Sequence, residues 1–165
     1  MNTRCSSPEL LVVAVCAILV AGCEGTGNLY EHRSIKPPAA VLSDPRSWVV
    51  TGNVLNAQDA VDGDKTTAAR GDVNVGQASI TVDLGKVCTF DAIFLDHGRY
   101  ALGCARRLAV STSMDGRYFT HHYEAPGTRM VTSLLLVTPV MARYVRIKVV
   151  EPGDTPWNVA EVYIQ

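Results

Sequence analysis

The chain is poor in the groups that carry covalent chemistry. It holds only 4 histidines in 165 residues, and it has no Gly-x-Ser-x-Gly elbow, no His-Glu-x-x-His pair and no phosphate-cradling glycine loop. His121 and His122 are neighbours in "YFTHHY", a strand-like run in which adjacent side chains point to opposite faces, so they do not form a chelating pair. An enzyme is therefore not expected. Charge of one sign is also missing: Lys and Arg number 15 against 16 Asp and Glu, a net of -1. No basic field exists to attract nucleic acid. Long apolar runs are absent too, the longest being "LLVVAVCAILVAG" from Leu10 to Gly22, which falls short of the ~20 residues that span a bilayer.

That run has another use. It follows a short segment containing Arg4 and ends in small residues, the pattern of a secretory signal peptide over residues 1–22. Its last residues, Val20-Ala21-Gly22-Cys23, resemble the lipobox of bacterial lipoproteins, which implies lipidation of Cys23 and a membrane-tethered chain. Acyl chains contribute ~0.8 kcal/mol per buried methylene, and stable anchoring needs more than one. In such lipoproteins an Asp after the cysteine marks inner-membrane retention. Here the position is Glu24, so the resemblance implies the outer membrane of the cell envelope.

Residues 23–46 are rich in Gly, Pro, Ser and charge without apolar periodicity, a tether composition. Residues 47–165 make one domain, long enough to bury roughly 65% of its unfolded surface in a single core. Of the five cysteines, Cys5 and Cys16 fall in the signal peptide and Cys23 is the lipidation site, which leaves Cys88 and Cys104. Both precede predicted strands whose starts lie ~20 Å apart in an antiparallel arrangement. A bridge requires Cα atoms within ~7 Å, so two buried thiols are expected rather than a disulfide.

The domain reads as all-β. "SITVDL" sets Ile80, Val82 and Leu84 on one face, "RLAVSTS" pairs Leu108 with Val110, and "RYVRIKV" turns Val145, Ile147 and Val149 inward against Tyr144, Arg146 and Lys148. One dry and one wet face is the signature of an antiparallel sandwich. In order and spacing, "NAQDAVDGDKTT", "ITVDLGKVCTFDAIFL", "LAVSTSMDGRYF" and "ARYVRIKVV" leading to "WNVAEVYI" resemble the discoidin domain, also called the coagulation factor 5/8 C-type domain. That galactose-binding-like group includes the family 32 carbohydrate-binding modules. The resemblance implies an eight-stranded jelly-roll sandwich with ligand loops at one end, around residues 68–76, 96–104 and 152–158.

Two functional readings follow from this resemblance. In many such modules a "D-G-D-x-x-T" turn and a last-strand glutamate hold a structural Ca²⁺, and the matching residues are Asp62, Asp64, Thr67 and Glu161. The stretch is no EF-hand, because its sixth and twelfth positions are Thr67 and Val73. The plain alternative is an Asp-capped turn beside a solvated glutamate. The second reading is a sugar site, for which the ligand-binding candidates are Arg70, Asp72, His97, Arg99, Tyr100 and Trp157. Arg99 matches an arginine that contacts sugar in the resembling modules, and Trp157 offers a platform. Arg70-Gly71-Asp72 as a bare triplet says little. The Trp and His that galactose binders carry in this loop are replaced by Ala69 and Arg70, which removes a simple inference of galactose. A glycan or envelope polysaccharide is the expected partner, and a protein-interaction or envelope-assembly module is the alternative.

Overall fold

The computed structural model describes residues 42–71 and 77–165. The signal peptide, Cys23, most of the tether and Asp72 lie outside the described residues. Within them are nine strands: β1 (Val49–Gly52), β2 (Val54–Leu55), β3 (Ala69–Gly71), β4 (Ser79–Asp96), β5 (Arg107–Ser113), β6 (Thr120–Pro126), β7 (Val131–Glu151), β8 (Asn158–Val159) and β9 (Glu161–Ile164). Every pairing is antiparallel. The larger sheet runs β1-β4-β7-β5-β6 with β9 also on β4, and β2-β3-β8 form a small second sheet.

β4 and β7 are long enough to serve both layers of the sandwich. Residues 79–83 of β4 pair with 144–148 of β7, and after register shifts residues 92–96 pair with 131–135. Such bulges bend a strand and increase its twist, which carries the pair from one layer to the other. β1 docks on the first part of β4 and β9 on the last. The alternation foreseen in the sequence is present: Ile80, Val82, Leu108, Val110, Leu134, Val145 and Ile147 are all fully buried. Truncating one of the leucines to alanine in such a core costs about 2–5 kcal/mol.

Two boundaries differ from the sequence expectation. Leu42 packs against the core, and Ser43 Oγ accepts a 2.8 Å hydrogen bond from the buried Trp48 indole, so the packed body begins inside the segment assigned to the tether. "TTAARGD" is not wholly a loop: Ala69, Arg70 and Gly71 form β3, held on both sides by β2 and β8. The two cysteines are free thiols, Cys88 buried and Cys104 only partly so.

Candidate functional site

Two clusters of polar side chains adjoin one another where the turn at residues 62–67 meets the segment after β4. In the first, Asp62 Oδ1 accepts the Asp64 N–H at 2.8 Å, and Asp62 Oδ2 lies 2.8 Å from the Thr67 hydroxyl. Gly63 allows the tight turn through its positive φ of 82°. The Asp64 carboxylate instead accepts both the N–H and the hydroxyl of Thr66, which hold its pKa below the ordinary value.

Glu161 closes this cluster from β9. It is 5% exposed, and its Oε1 has no hydrogen-bond partner. Burial first, and the neighbouring Asp62 with it, push its pKa up to about 7 against the pull of the Gly63 N–H. A buried carboxylate oxygen without a donor, beside a second carboxylate, is costly unless a proton or a cation is supplied. Oxygen donors from a turn and a distant carboxylate suit Ca²⁺. Asp62, Thr67 and Glu161 fit such an ion, whereas the Asp64 side chain is occupied by Thr66. Among the described residues no three His, Cys, Asp or Glu side chains converge on one point, so carbonyl and hydroxyl oxygens would have to complete the shell.

The second cluster is built on Tyr100, in a 3₁₀ segment (Gly98–Gly103) directly after β4. Gly98 starts it with φ +52°, and a Cβ there would meet the Lys65 carbonyl oxygen at 2.5 Å and Ala160 Cβ at 3.0 Å. The Tyr100 hydroxyl donates to the Thr66 carbonyl at 3.1 Å and accepts from Arg70 Nη2 at 2.6 Å. Guanidiniums lie over its ring from Arg70, 4.7 Å from the centroid, and from Arg99, 5.1 Å away. Arg99 first, and Arg70 after it, hold the phenol below its ordinary pKa. Asp96 does not pair with Arg99. Its Oδ2 accepts Lys65 Nζ at 2.7 Å and its Oδ1 the Gly98 N–H at 2.8 Å.

Arg99, Tyr100, Leu102 and Thr155 line a cleft of about 270 Å³. Leu102 and Thr155 are shared with a second cleft of about 320 Å³ that reaches Arg106, Arg129 and Asp154. Thr155 Oγ1 donates to the Leu102 carbonyl at 2.7 Å and pins the ridge between them. Leu102 and Thr155 belong to two of the loops expected at this end, whereas Arg106 and Arg129 lie outside them and only the fold brings them there.

Two sequence candidates are corrected. His97 is 0% exposed: its Nδ1 lies 2.6 Å from the Asn158 carbonyl and its Nε2 3.0 Å from the Thr132 hydroxyl. Burial lowers its pKa, so it is a neutral structural residue rather than a ligand contact. Trp157 is 5% exposed and belongs to the core, with one edge on a cavity of about 470 Å³ also lined by Val149, Pro152 and Pro156. It offers no open platform. Of the ligand candidates, the structure groups Arg70, Arg99 and Tyr100.

Residues 43–162 match the F5/8 type C domain, and the chain belongs to that family. No curated protein matches it significantly. Among solved structures it is similar to CpGH89CBM32-5 from Clostridium perfringens, in complex with GalNAc-beta-1,3-galactose, at TM-score 0.65 and 19% identity over 73% of this chain and 96% of that one. It is also similar to the family 32 CBM from C. perfringens NanJ in complex with galactose, at TM-score 0.64 and 17% identity over 73% and 94%. A third is a chitosan-binding module from a chitosanase/glucanase of Paenibacillus sp. IK-5, at TM-score 0.61 and 20% identity over 76% and 96%. At these identities the likeness establishes the fold, that of carbohydrate-binding modules.

Proposed function

We propose that this domain is a non-catalytic glycan-binding module, held at the bacterial outer membrane by a lipid on Cys23, that takes a saccharide in the cleft beside Arg99 and Tyr100. The observation that carries the reading is the Arg70–Tyr100–Arg99 cluster. Planar donors are fixed at one end of a fold shared with modules solved in complex with GalNAc-beta-1,3-galactose and with galactose. Guanidinium forks present paired N–H donors at defined angles, which suits sugar oxygens. A Ca²⁺ held by Asp62, Thr67 and Glu161 would neutralise the repulsion between the two carboxylates and stiffen the turn whose Thr66 carbonyl holds Tyr100.

The test is a glycan array probed with the full chain in mild detergent. Reproducible hits that weaken at least about tenfold in Arg99→Ala, with unchanged melting, support the site; a lost charge-assisted hydrogen bond of ~1.5–3 kcal/mol has that size. An array without hits rejects the proposal. A second reading, a protein-interaction module, draws on Leu135, Val137 and Met141, which stand exposed along β7. Crosslinking of the β7 face to an envelope protein, together with an empty array, would put it first.

A further inference from the structure

The clefts beside Arg99 and Arg129 differ from an ordinary sugar platform in two ways. Recognition of a neutral sugar draws on an open aromatic face for the apolar side of the ring, and Tyr100 is the one aromatic residue lining either cleft. Its ring is already covered by two guanidiniums. Trp157, the other aromatic candidate, is buried. Stacking is therefore largely unavailable, and the remaining groups are charges and hydrogen-bond donors.

Those charges are mostly of one sign. Arg106 is balanced by Asp154 at 2.6 Å and Glu151 at 3.9 Å. Among the described residues, no carboxylate lies within 4 Å of Arg99 or Arg129. Asp64, kept ionised by the Thr66 N–H and hydroxyl, offsets the Arg99 charge in part without forming an ion pair with it. Arg99 lines one cleft and Arg129 the other, with the exposed Leu102 on the ridge that both clefts share. Guanidiniums without an ion-pair partner among the described residues, on a chain of net charge -1, are a local feature and not a general basic surface.

We infer that the ligand is an acidic saccharide of more than one sugar unit, whose carboxylate or sulfate groups are met by Arg99 and Arg129 across the Leu102 ridge. This rests on the glycan-binding reading above and narrows it to a ligand class. The physical reason is that a hydrogen bond to an ionised acceptor is roughly twice as strong as a neutral one, and a guanidinium engages carboxylate or sulfate through two parallel N–H donors. That gain replaces the stacking which the covered Tyr100 ring cannot provide.

The experiment uses the full chain and an array that presents uronate-containing, sialylated, sulfated and neutral oligosaccharides, followed by titration with tetragalacturonate and with its carboxyl-reduced neutral counterpart. Acidic hits should predominate, and the acid form of the best hit should bind at least about tenfold more tightly than its neutral counterpart. Raising the salt from 50 to 500 mM, a screening test on the wild-type chain that needs no variant, should weaken the acidic hits and spare any neutral ones. Arg99→Gln and Arg129→Gln should each lose about tenfold on acidic hits with melting unchanged, while Arg117→Gln, in the turn between β5 and β6, should lose nothing. Hits confined to neutral sugars, or equal affinity for acid and reduced forms, overturn the inference and leave the glycan-binding proposal standing. An array with no hits of either kind removes both. If uronates fail but sialylated or sulfated glycans bind with the same salt and arginine dependence, the acidic class stands and its anion is identified.

Discussion

Glu161 shows how much a single side chain adds once its surroundings are known. The sequence singled it out only through family resemblance, since a glutamate in "AEVY" is otherwise an ordinary strand residue. Its burial, its unpartnered Oε1 and its position beside Asp62 arise from contacts nearly a hundred positions apart, and no local pattern encodes them. With a pKa of about 7 it is only partly ionised near neutrality, and a bound cation would keep it charged. The melting temperature of the full chain should therefore fall on chelation relative to excess calcium. A site filled at ~100 times its Kd adds about 2.7 kcal/mol. Glu161→Gln should bring the two melting curves together; identical curves for the wild type would remove calcium from the account. His97 teaches the opposite lesson. "DHGRY" looks like a polar loop in sequence, yet the imidazole is enclosed by Asn158 and Thr132, 61 and 35 positions away.

At the scale of elements, His97 ties together the end of β4, the start of β7 and β8. Burial lowers its pKa from the ordinary 6.5, while the Asn158 carbonyl and the Asp96 charge oppose the shift without cancelling it. The folded state thus binds fewer protons than the unfolded state as pH falls through 6.5. Its stabilising contribution is complete above that value and is lost on acidification. Between pH 7.5 and 5, the melting temperature of the wild type should fall more steeply than that of His97→Gln, measured as the difference between the two chains so that other titrating groups cancel. Parallel pH profiles would mean that the imidazole titrates alike in the folded and unfolded chains, and a shallower fall for the wild type would mean that the fold favours its protonated form. The strands themselves were largely legible, because inward and outward residues alternate cleanly along "SITVDL" and "RYVRIKV". Their continuity was not. Gly85, at φ +76°, looks like the end of a strand in sequence, but pairing with β7 resumes beyond it, so two expected strands are one bent strand. Residues 131–137 and "ARYVRIKVV" likewise fall in one strand, β7, which runs on through Pro139.

For the whole molecule, the fold class and the family were readable because several spaced blocks agree with one sandwich. The ligand end was readable only in part, since Arg106 and Arg129 join it from outside the loops that the resemblance marked. Membrane attachment rests on "VAGC" and is tested directly. Cells making the wild-type chain should incorporate labelled fatty acid into it, whereas Cys23→Ser should accumulate as unlabelled precursor. Equal labelling of both would place any acylation elsewhere.

The sharing of β4 by β1 and β9 also governs the order of assembly. The first strand and the last both need β4 as a neighbour, but at opposite ends, so the layer built on the last part of β4 is not complete until the chain through Ile164 is available. Non-local pairing of this kind makes folding slow, on the order of milliseconds to seconds. In a chain exported as proposed, threading through a membrane from its N-terminus, that layer would close only after β9 has emerged.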